Sequence, residues 1–329
     1  SQVECDPDPP RALVCGVLEH IEEAGIHSGD STSTVPPYSL PTEIVEQIRD
    51  QARRLAERLK VRGLMNVQMA VKDGVVHLLE VNPRASRTVP FVSKAKGVPW
   101  ARIAAEVMMG RSLASLGVEE TPDTGFWSVK ESVFPFSRFP GVDVVLGPEM
   151  RSTGEVMGAD RSLPVAFAKA QMAAGIPLPT SGSVFLSVRD SDKDAAVDLA
   201  RSLQRLGFGV FTTGGTCDHL LAAGIETRRL PKISEGRRPN ILDLIANGEI
   251  ALIVNTPTRK GADTDEGRIR AIAVTSGVPM ITTASGARAA VLAITALQEG
   301  KWDVAAIQDY FPQLARPAHS DPTPTLATT

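Results

Sequence analysis

Residues 183–216, SVFLSVRDSDKDAAVDLARSLQRLGFGVFTTGGT, decide how the second half of the chain folds. Positions 184–188 form an apolar run of strand length, 192–206 read as helix, and 209–213 are strand-like again. Gly214-Gly215 follows where that strand gives way to a helix. The alternation continues with helix at 240–246, strand at 251–255, helix at 266–276, strand at 279–283 and helix at 287–298. Strand and helix in strict turn predict a doubly wound parallel sheet covered on both faces.

Toward the N-terminus the pattern changes. Positions 117–177 are punctuated by proline and glycine and predict irregular connecting structure with one helix at 163–173. Positions 12–116 read as a different block: strand at 12–18, loop at 22–30, and an extended Ser/Thr/Pro-rich stretch at 31–40. A helix follows at 42–60, with Ile44, Ile48, Leu55 and Leu59 at helical spacing, then strands at 64–71 and 75–81 around Lys72-Asp73-Gly74. A last helix spans 99–109 and closes on Gly110. The chain therefore combines an α+β block with an α/β block. The Pro/Thr/Ala-rich positions 316–329 predict a disordered tail.

With 329 residues, 43% apolar and 22% charged, the chain has the composition of a folded protein of about two domains. Its net charge of −3 argues against bulk electrostatic binding to nucleic acid or membrane surfaces. The three cysteines, Cys5, Cys15 and Cys217, have no disulfide or zinc spacing and point to reduced thiols in a cytoplasmic protein. No apolar run reaches membrane-spanning length. The opening on Ser1 suggests a fragment or a processed chain.

The hairpin at 64–82 carries the most specific chemistry. A two-residue turn on Asp73-Gly74 pairs Lys72 with Val75 and puts Gln68 and Glu80 on opposite faces. A three-residue loop instead places Asn66, Gln68, Glu80 and Asn82 on one face, as hard oxygen ligands for Mg²⁺ or Mn²⁺ that leave room for phosphate. Arg84 and Arg87 follow, where they could neutralise a transferring phosphoryl group. The bland alternative is that these residues form the solvated face of an amphipathic hairpin, the commoner arrangement.

Leu-Glu-Val-Asn-Pro-Arg at 79–84, followed by Ser-Arg-Thr-Val-Pro-Phe-Val-Ser-Lys at 86–94, closely resembles the large subunit of carbamoyl phosphate synthetase. So do Gly-Ile-His-Ser-Gly-Asp at 25–30, Arg-Gly-Leu-Met-Asn-Val-Gln at 62–68, Phe-Pro-Gly-Val-Asp at 139–143 and Leu-Gly-Pro-Glu-Met-Arg-Ser-Thr-Gly-Glu-Val-Met-Gly at 146–158. The resemblance implies residues 1–116 as the C-terminal portion of a truncated ATP-grasp domain and 117–176 as a connecting segment. Residues 177–315 are implied as a methylglyoxal-synthase-like allosteric domain. The implied fold is a partial ATP-grasp lobe followed by a doubly wound parallel sheet.

By the same resemblance the function is ATP-dependent phosphorylation of carbamate to carbamoyl phosphate, serving arginine and pyrimidine biosynthesis, with ATP and Mg²⁺ or Mn²⁺ as cofactors. Gln68, Glu80 and Asn82 are implied at the metal, and Gly25, Ile26, His27, Ser28, Gln68 and Glu80 at the nucleotide. Arg84, Arg87 and His27 are implied as catalytic, although a lone histidine is more often structural. Glu22, Asp30, Glu131 and Thr282 match ornithine contacts, although each taken alone reads as a solvated carboxylate or a cap. The implied partners are a separate small glutaminase subunit and the rest of the large subunit, and a homo-oligomer is compatible. The front of the grasp, with its mobile lid, is missing from the sequence, so the chain alone is expected to be inactive.

In the second block, Thr213-Gly214-Gly215-Thr216 offers backbone N–H groups at a helix N-terminus, a natural anion site, though a Gly-Gly pair is also ordinary turn chemistry. The resemblance implies UMP or IMP there, contacted by Lys193, Thr213, Gly215, Thr216, Lys232, Asn255, Thr256 and Thr283. Arg259 and Lys260 could face phosphate or simply form an exposed basic loop. Two competing readings are a non-catalytic regulatory or assembly module, and a stand-alone enzyme of the methylglyoxal-synthase fold.

Overall fold

The computed structural model describes residues 2–7, 10–139, 144–256, 264–300 and 302–310, the first seven of these positions by backbone alone. The expected tail at 316–329, the pair Arg259-Lys260 and most of the 139–143 motif lie outside the described residues.

Strands β1 (Gln2–Pro7) and β2 (Pro10–Gly16) form a hairpin. The short strands β3 (Glu19–His20) and β4 (Ser33–Val35) precede helix α1 (Thr42–Arg58). Next come β5 (Gly63–Lys72), β6 (Val75–Asn82), α2 (Val89–Lys96) and α3 (Trp100–Met108). Strands β7 (Trp127–Val133) and β8 (Gly154–Asp160) lead into α4 (Leu163–Ala173). The remainder alternates as β9 (Ser183–Ser187), α5 (Lys193–Arg205), β10 (Gly209–Thr213), α6 (Gly214–Ala222) and β11 (Arg228–Leu230). It closes with α7 (Ile241–Ala246), β12 (Leu252–Asn255), α8 (Asp265–Thr275), β13 (Met280–Ile281) and α9 (Ala284–Gln298).

The first sheet is antiparallel, in the order β2-β1-β5-β6. Helix α1 covers it through Ile44, Ile48, Ala52 and Ala56, a row of residues four apart. Leu59, expected on that face, caps the helix and is 53% exposed, because Ala52 and Ala56 already fill the space beside Met65 and Val67.

The β5–β6 turn is the two-residue one. Lys72 pairs with Val75, and Asp73 (φ 51°) and Gly74 (φ 75°) both adopt the left-handed conformation that such a turn requires. That turn alone would bring Gln68 opposite Leu79. A bulge intervenes: Met69 pairs with Leu78, yet Gln68 pairs with Glu80 and Asn66 with Asn82. Leu79 is the extra residue, and it resets the phase. The three-residue loop is thus incorrect, but its consequence, all four polar side chains on one face, is present for a different reason.

The second sheet, β3-β4-β7-β8, corrects the expectation of irregular structure at 117–177. Strands β7 and β8 escaped notice because their buried faces carry charge and glycine rather than an apolar alternation. Gly158 shows the reason on β8: a Cβ there would lie 2.1 Å from the Ala166 carbonyl oxygen and 2.4 Å from the Ala170 nitrogen. Only a glycine lets α4 sit this close to the strand.

The third sheet, β11-β10-β9-β12-β13, is parallel throughout, as the alternation predicts. Val184 and Leu186 of β9 face a core built with α5, α6 and α9, while Phe185 faces one built with α7 and α8. The α5–α9 core also takes in Ala166, Phe167 and Ala170 of α4, Val129 of β7 and Ile21. The second and third sheets are therefore joined through one hydrophobic core.

Candidate functional site

The first cleft, about 520 Å³, lies over the β5–β6 ladder and beneath the loop from Val17 to Gly29. Its lining includes Gly25, Ile26, His27, Ser28, Gln68, Glu80, Asn82, Arg84 and Arg87. Every residue implied at the nucleotide, the metal or the reacting group thus borders one cavity.

Glu80 is the hub. Its Oε1 accepts from Gln68 Nε2 and from Asn82 Nδ2, both at 2.7 Å, and Gln68 Nε2 also lies 2.7 Å from Ser28 Oγ. Among the described residues no group of three or more His, Cys, Asp or Glu side chains could hold a metal ion. A cation here would take one carboxylate with amide and hydroxyl oxygens, drawing its other ligands from phosphate and water. That donor set fits a hard divalent ion once the two amides rotate to present their oxygens.

His27 is held by the loop it stands in. Its Nδ1 accepts from the Gly29 N–H at 3.0 Å, and its backbone N–H donates to the Gly147 carbonyl at 2.7 Å. The acceptor role of Nδ1 leaves Nε2 as the nitrogen available to a ligand. Arg84 is exposed and donates to the Ala85 carbonyl at 2.9 Å. Arg87 reaches across to the Ser152 carbonyl (3.2 Å) and hydroxyl (3.3 Å).

A second cavity, about 380 Å³, opens between the second and third sheets. Glu22, Asp30, Glu131 and Thr282, from three separate stretches of the chain, all line it. Glu22 and Glu131 share Thr32, whose hydroxyl lies 2.9 Å from a carboxylate oxygen of each. Gln171 of α4 donates to Glu131 at 2.6 Å. Burial, then the neighbouring Glu131 charge, pushes the Glu22 carboxyl up to about 7, and burial raises Glu131 as well. Two carboxyls so placed favour a bound cation. Asp30 differs: its two oxygens accept the N–H groups of Arg151 (2.8 Å) and Ser152 (2.9 Å), so it anchors that loop while bordering the cavity.

The third region is the C-terminal edge of the parallel sheet. Ser187 and Thr213 hydroxyls are 2.9 Å apart, Thr216 Oγ1 accepts from the Val188 N–H (3.3 Å), and Thr256 Oγ1 accepts from the Arg189 N–H (3.0 Å). Lys193 Nζ, paired with Asp190 at 2.7 Å, stands over Gly215, 3.5 Å from where a Cβ would be. Asn255 donates to the Ser187 carbonyl at 3.0 Å, while its Oδ1 is buried with no hydrogen-bond partner among the described residues. Lys232 is exposed at the end of β11. Thr283 stands apart from this group: its hydroxyl caps α9, accepting from the Gly286 N–H at 3.1 Å, and it lines the second cavity beside Thr282.

Sequence reading missed His20, Thr32, Lys130, Glu155 and Gln171. Lys130 and Glu131 are adjacent on β7 and buried, so they point to opposite faces. Glu131 enters the second cavity. Lys130 Nζ reaches the Ser28 carbonyl (3.2 Å) and stands 4.0 Å from Glu155, which lines the first cleft. Burial lowers the Lys130 ammonium, and burial followed by the Lys130 charge takes His20 down to about 4. The available signal was Lys-Glu inside Trp127–Val133, a charge pair in a stretch otherwise suited to a strand.

Residues 10–116 match the family model "Carbamoyl-phosphate synthase L chain, ATP binding domain", and residues 195–282 match the MGS-like domain. The chain is 51% identical over 315 residues to the carbamoyl phosphate synthase large chain of Rhodopirellula baltica, covering 94% of this chain and 29% of that one. It is 53% identical over 312 residues to that of Archaeoglobus fulgidus, covering 94% and 29%. The Myxococcus xanthus large chain is 52% identical over 298 residues, covering 91% and 27%. The chain thus spans less than a third of the length of these curated relatives. Among solved structures, the biotin carboxylase domain of a single-chain bacterial carboxylase aligns with a TM-score of 0.42 at 17% identity, covering 52% of this chain and 46% of that one. Among the described residues no helix is long and apolar enough to cross a membrane.

Proposed function

We propose, from the chain's kinship with carbamoyl phosphate synthase large chains over nearly its whole length, that it supplies one face of an ATP site and an effector-binding domain. The reaction served is ATP-dependent phosphorylation of carbamate to carbamoyl phosphate. The observation that carries this reading is the convergence of Gln68 and Asn82 on the Glu80 carboxylate, with Ser28 on Gln68, in a cleft shared with His27, Arg84 and Arg87.

In this reading Glu80, Gln68 and Asn82 hold a divalent ion, Mg²⁺ or Mn²⁺, which supplies charge neutralisation at the phosphates of ATP. The loop at Gly25–Ser28 lies along the nucleotide. Arg84 and Arg87 carry the positive charge that a transferring phosphoryl group requires. Positioning dominates phosphoryl transfer, and a grasp needs a second lobe over the nucleotide. The chain alone is therefore expected to be inactive and to work with the rest of a large chain and a small glutaminase subunit, in the cytoplasm, for arginine and pyrimidine synthesis.

The second cavity is proposed to take ornithine, whose ammonium suits Glu22 and Glu131. The strand-end crevice is proposed to take UMP or IMP through Lys193, Thr213, Gly215, Thr216 and Asn255. The orphaned Asn255 oxygen favours a bound donor there and keeps open a second reading, a regulatory module that binds without catalysis. The domain limits in this reading are 1–116, 117–176 and 177–315, the second sheet crossing the first of them because β4 pairs with β7.

Thermal unfolding with UMP, IMP, ornithine and Mg-ATP added singly tests this assignment. A ligand held only by the folded state stabilises it by about 2.7 kcal/mol at a hundredfold excess over its Kd. Shifts with UMP or IMP and with ornithine, and none with Mg-ATP, are expected for the isolated chain. A cooperative transition that no ligand moves would overturn the effector assignments.

A further inference from the structure

Two arginines stand side by side on β11, the edge strand beside β10, and the alternation of a strand sends them to opposite faces. Arg228 turns to one face and lies over the Phe211 ring, 5.4 Å from its centre. Arg229 turns to the other, toward the first turn of α6. Gly214 and Asp218 are four residues apart on α6 and so share one face of that helix. The Arg229 guanidinium lies along that face. Its Nη1 donates to Asp218 Oδ1 at 2.8 Å, while Nη2 is a looser 3.5 Å from Oδ2 and stands 3.0 Å from where a Cβ of residue 214 would be. Gly214 has no positive φ, so its backbone would accept any residue; what the glycine provides is the space beside Nη2.

We propose that Arg229 is a further binding and specificity-determining residue of the strand-end crevice. It closes on a phosphomonoester at the first turn of α6 from the Gly214 side, while Lys193 closes from the Gly215 side. The inference rests on the crevice being an anion site, as argued above. Nη2 is at most one bond further from the Gly214 Cα than from the vacant Cβ position, so the side chain's own torsions carry it to an oxygen seated over that turn. Its resting partner gives way readily. The Arg229–Asp218 pair is 59% and 62% accessible, and an exposed carboxylate competes weakly with a phosphate dianion. Both cations are held in the same manner, Lys193 on Asp190 and Arg229 on Asp218. A terminal phosphoryl group has three free oxygens, and the α6 N–H groups, the Lys193 ammonium and the Arg229 fork supply donors for all three. A carboxylate or a phosphodiester has only two, which leaves one donor set without an acceptor.

Titration calorimetry of the full chain with UMP, IMP and inorganic phosphate, with a urea midpoint for each variant, tests this. Arg229→Gln should weaken binding about tenfold and leave the midpoint unchanged, since the ion pair it removes is exposed. Gly214→Ala should weaken binding by a similar factor with a midpoint at or above that of the wild type. Its methyl displaces only the far end of a flexible side chain, and alanine favours the helix. The double variant should bind no worse than either single one. Asp218→Asn should tighten binding about threefold, the fork having lost its resting partner. The wild type should prefer UMP to its cyclic phosphodiester, and Arg229→Gln should narrow that preference. Equal affinities in the wild type and Arg229→Gln would overturn the proposal and leave the crevice reading intact. Additive losses in the double variant would mean that the methyl obstructs the anion directly, and would strike out Gly214 as the opening for Arg229. No binding of any of the three probes by the wild type would overturn the crevice reading and this inference together.

Discussion

Gln68 and Glu80 face each other across the β5–β6 ladder at 2.7 Å, although the tight turn joining their strands sets them on opposite faces. The bulge at Leu79 is what brings them together. A single extra residue moves every side chain beyond it to the other face, so the candidate metal face exists because one residue is unpaired.

Exchanging the two neighbours, Leu79→Glu with Glu80→Leu, should therefore keep the fold and remove the site. Both positions are exposed, so stability should change by less than about 1 kcal/mol. Mn²⁺ should broaden the side-chain amide resonances of Gln68 and Asn82 in the wild type and leave them sharp in the exchanged chain. Equal broadening in both would show that Glu80 does not gather the ion.

Gly158 is fixed by proximity to α4. Gly158→Ala places a methyl against two backbone atoms that cannot swing aside, and should cost about 3 kcal/mol. A urea midpoint equal to that of the wild type would mean that α4 is free to move off β8.

The half-buried Glu22 and His20 should respond oppositely to pH. Glu22 is held at about 7 rather than 4.5, so the folded state binds its proton more tightly than the unfolded chain does. Its contribution is present below 4.5 and is lost as pH rises through 7, by at most about 3 kcal/mol. Glu22→Gln should accordingly gain stability relative to the wild type between pH 5 and 8. His20 is held at about 4 rather than 6.5, so its contribution is lost as pH falls through that window. His20→Gln should gain relative to the wild type below pH 6. Melting curves of the two variants running parallel to the wild type across this range would contradict both assignments.

Lys193 divides its charge between Asp190 and any anion above Gly215. Lys193→Ala should weaken binding of UMP or IMP about tenfold, the loss of one charge-assisted hydrogen bond. Asp190→Asn should tighten it, because the ammonium no longer has a competing carboxylate at 2.7 Å. Titration calorimetry at fixed ionic strength checks both, and tightening in neither Asp190→Asn nor at lower salt would remove Lys193 from the site.

The parallel sheet was legible in β9, β10 and β12, which advertise themselves as apolar runs between helices, but β11 was not, because two of its three residues are exposed arginines. Strands β7 and β8 were not, since the residues they bury include Lys130 and Glu131, whose cost is offset by partners distant in sequence. Thr283 was placed in the crevice by resemblance, whereas its hydroxyl is committed to the first turn of α9.

The sequence by itself determined the strand and helix alternation of the second block, the presence of a hairpin around Asp73-Gly74 and the family kinship, because propensity, turn chemistry and motif are properties of neighbouring residues. Only the tertiary structure decided that Leu79 bulges, that Glu22 meets Glu131 over Thr32, and that Arg229 lies over Gly214. Those depend on which surfaces pack and on charges that must find partners once water is excluded, and neither is written in any single segment.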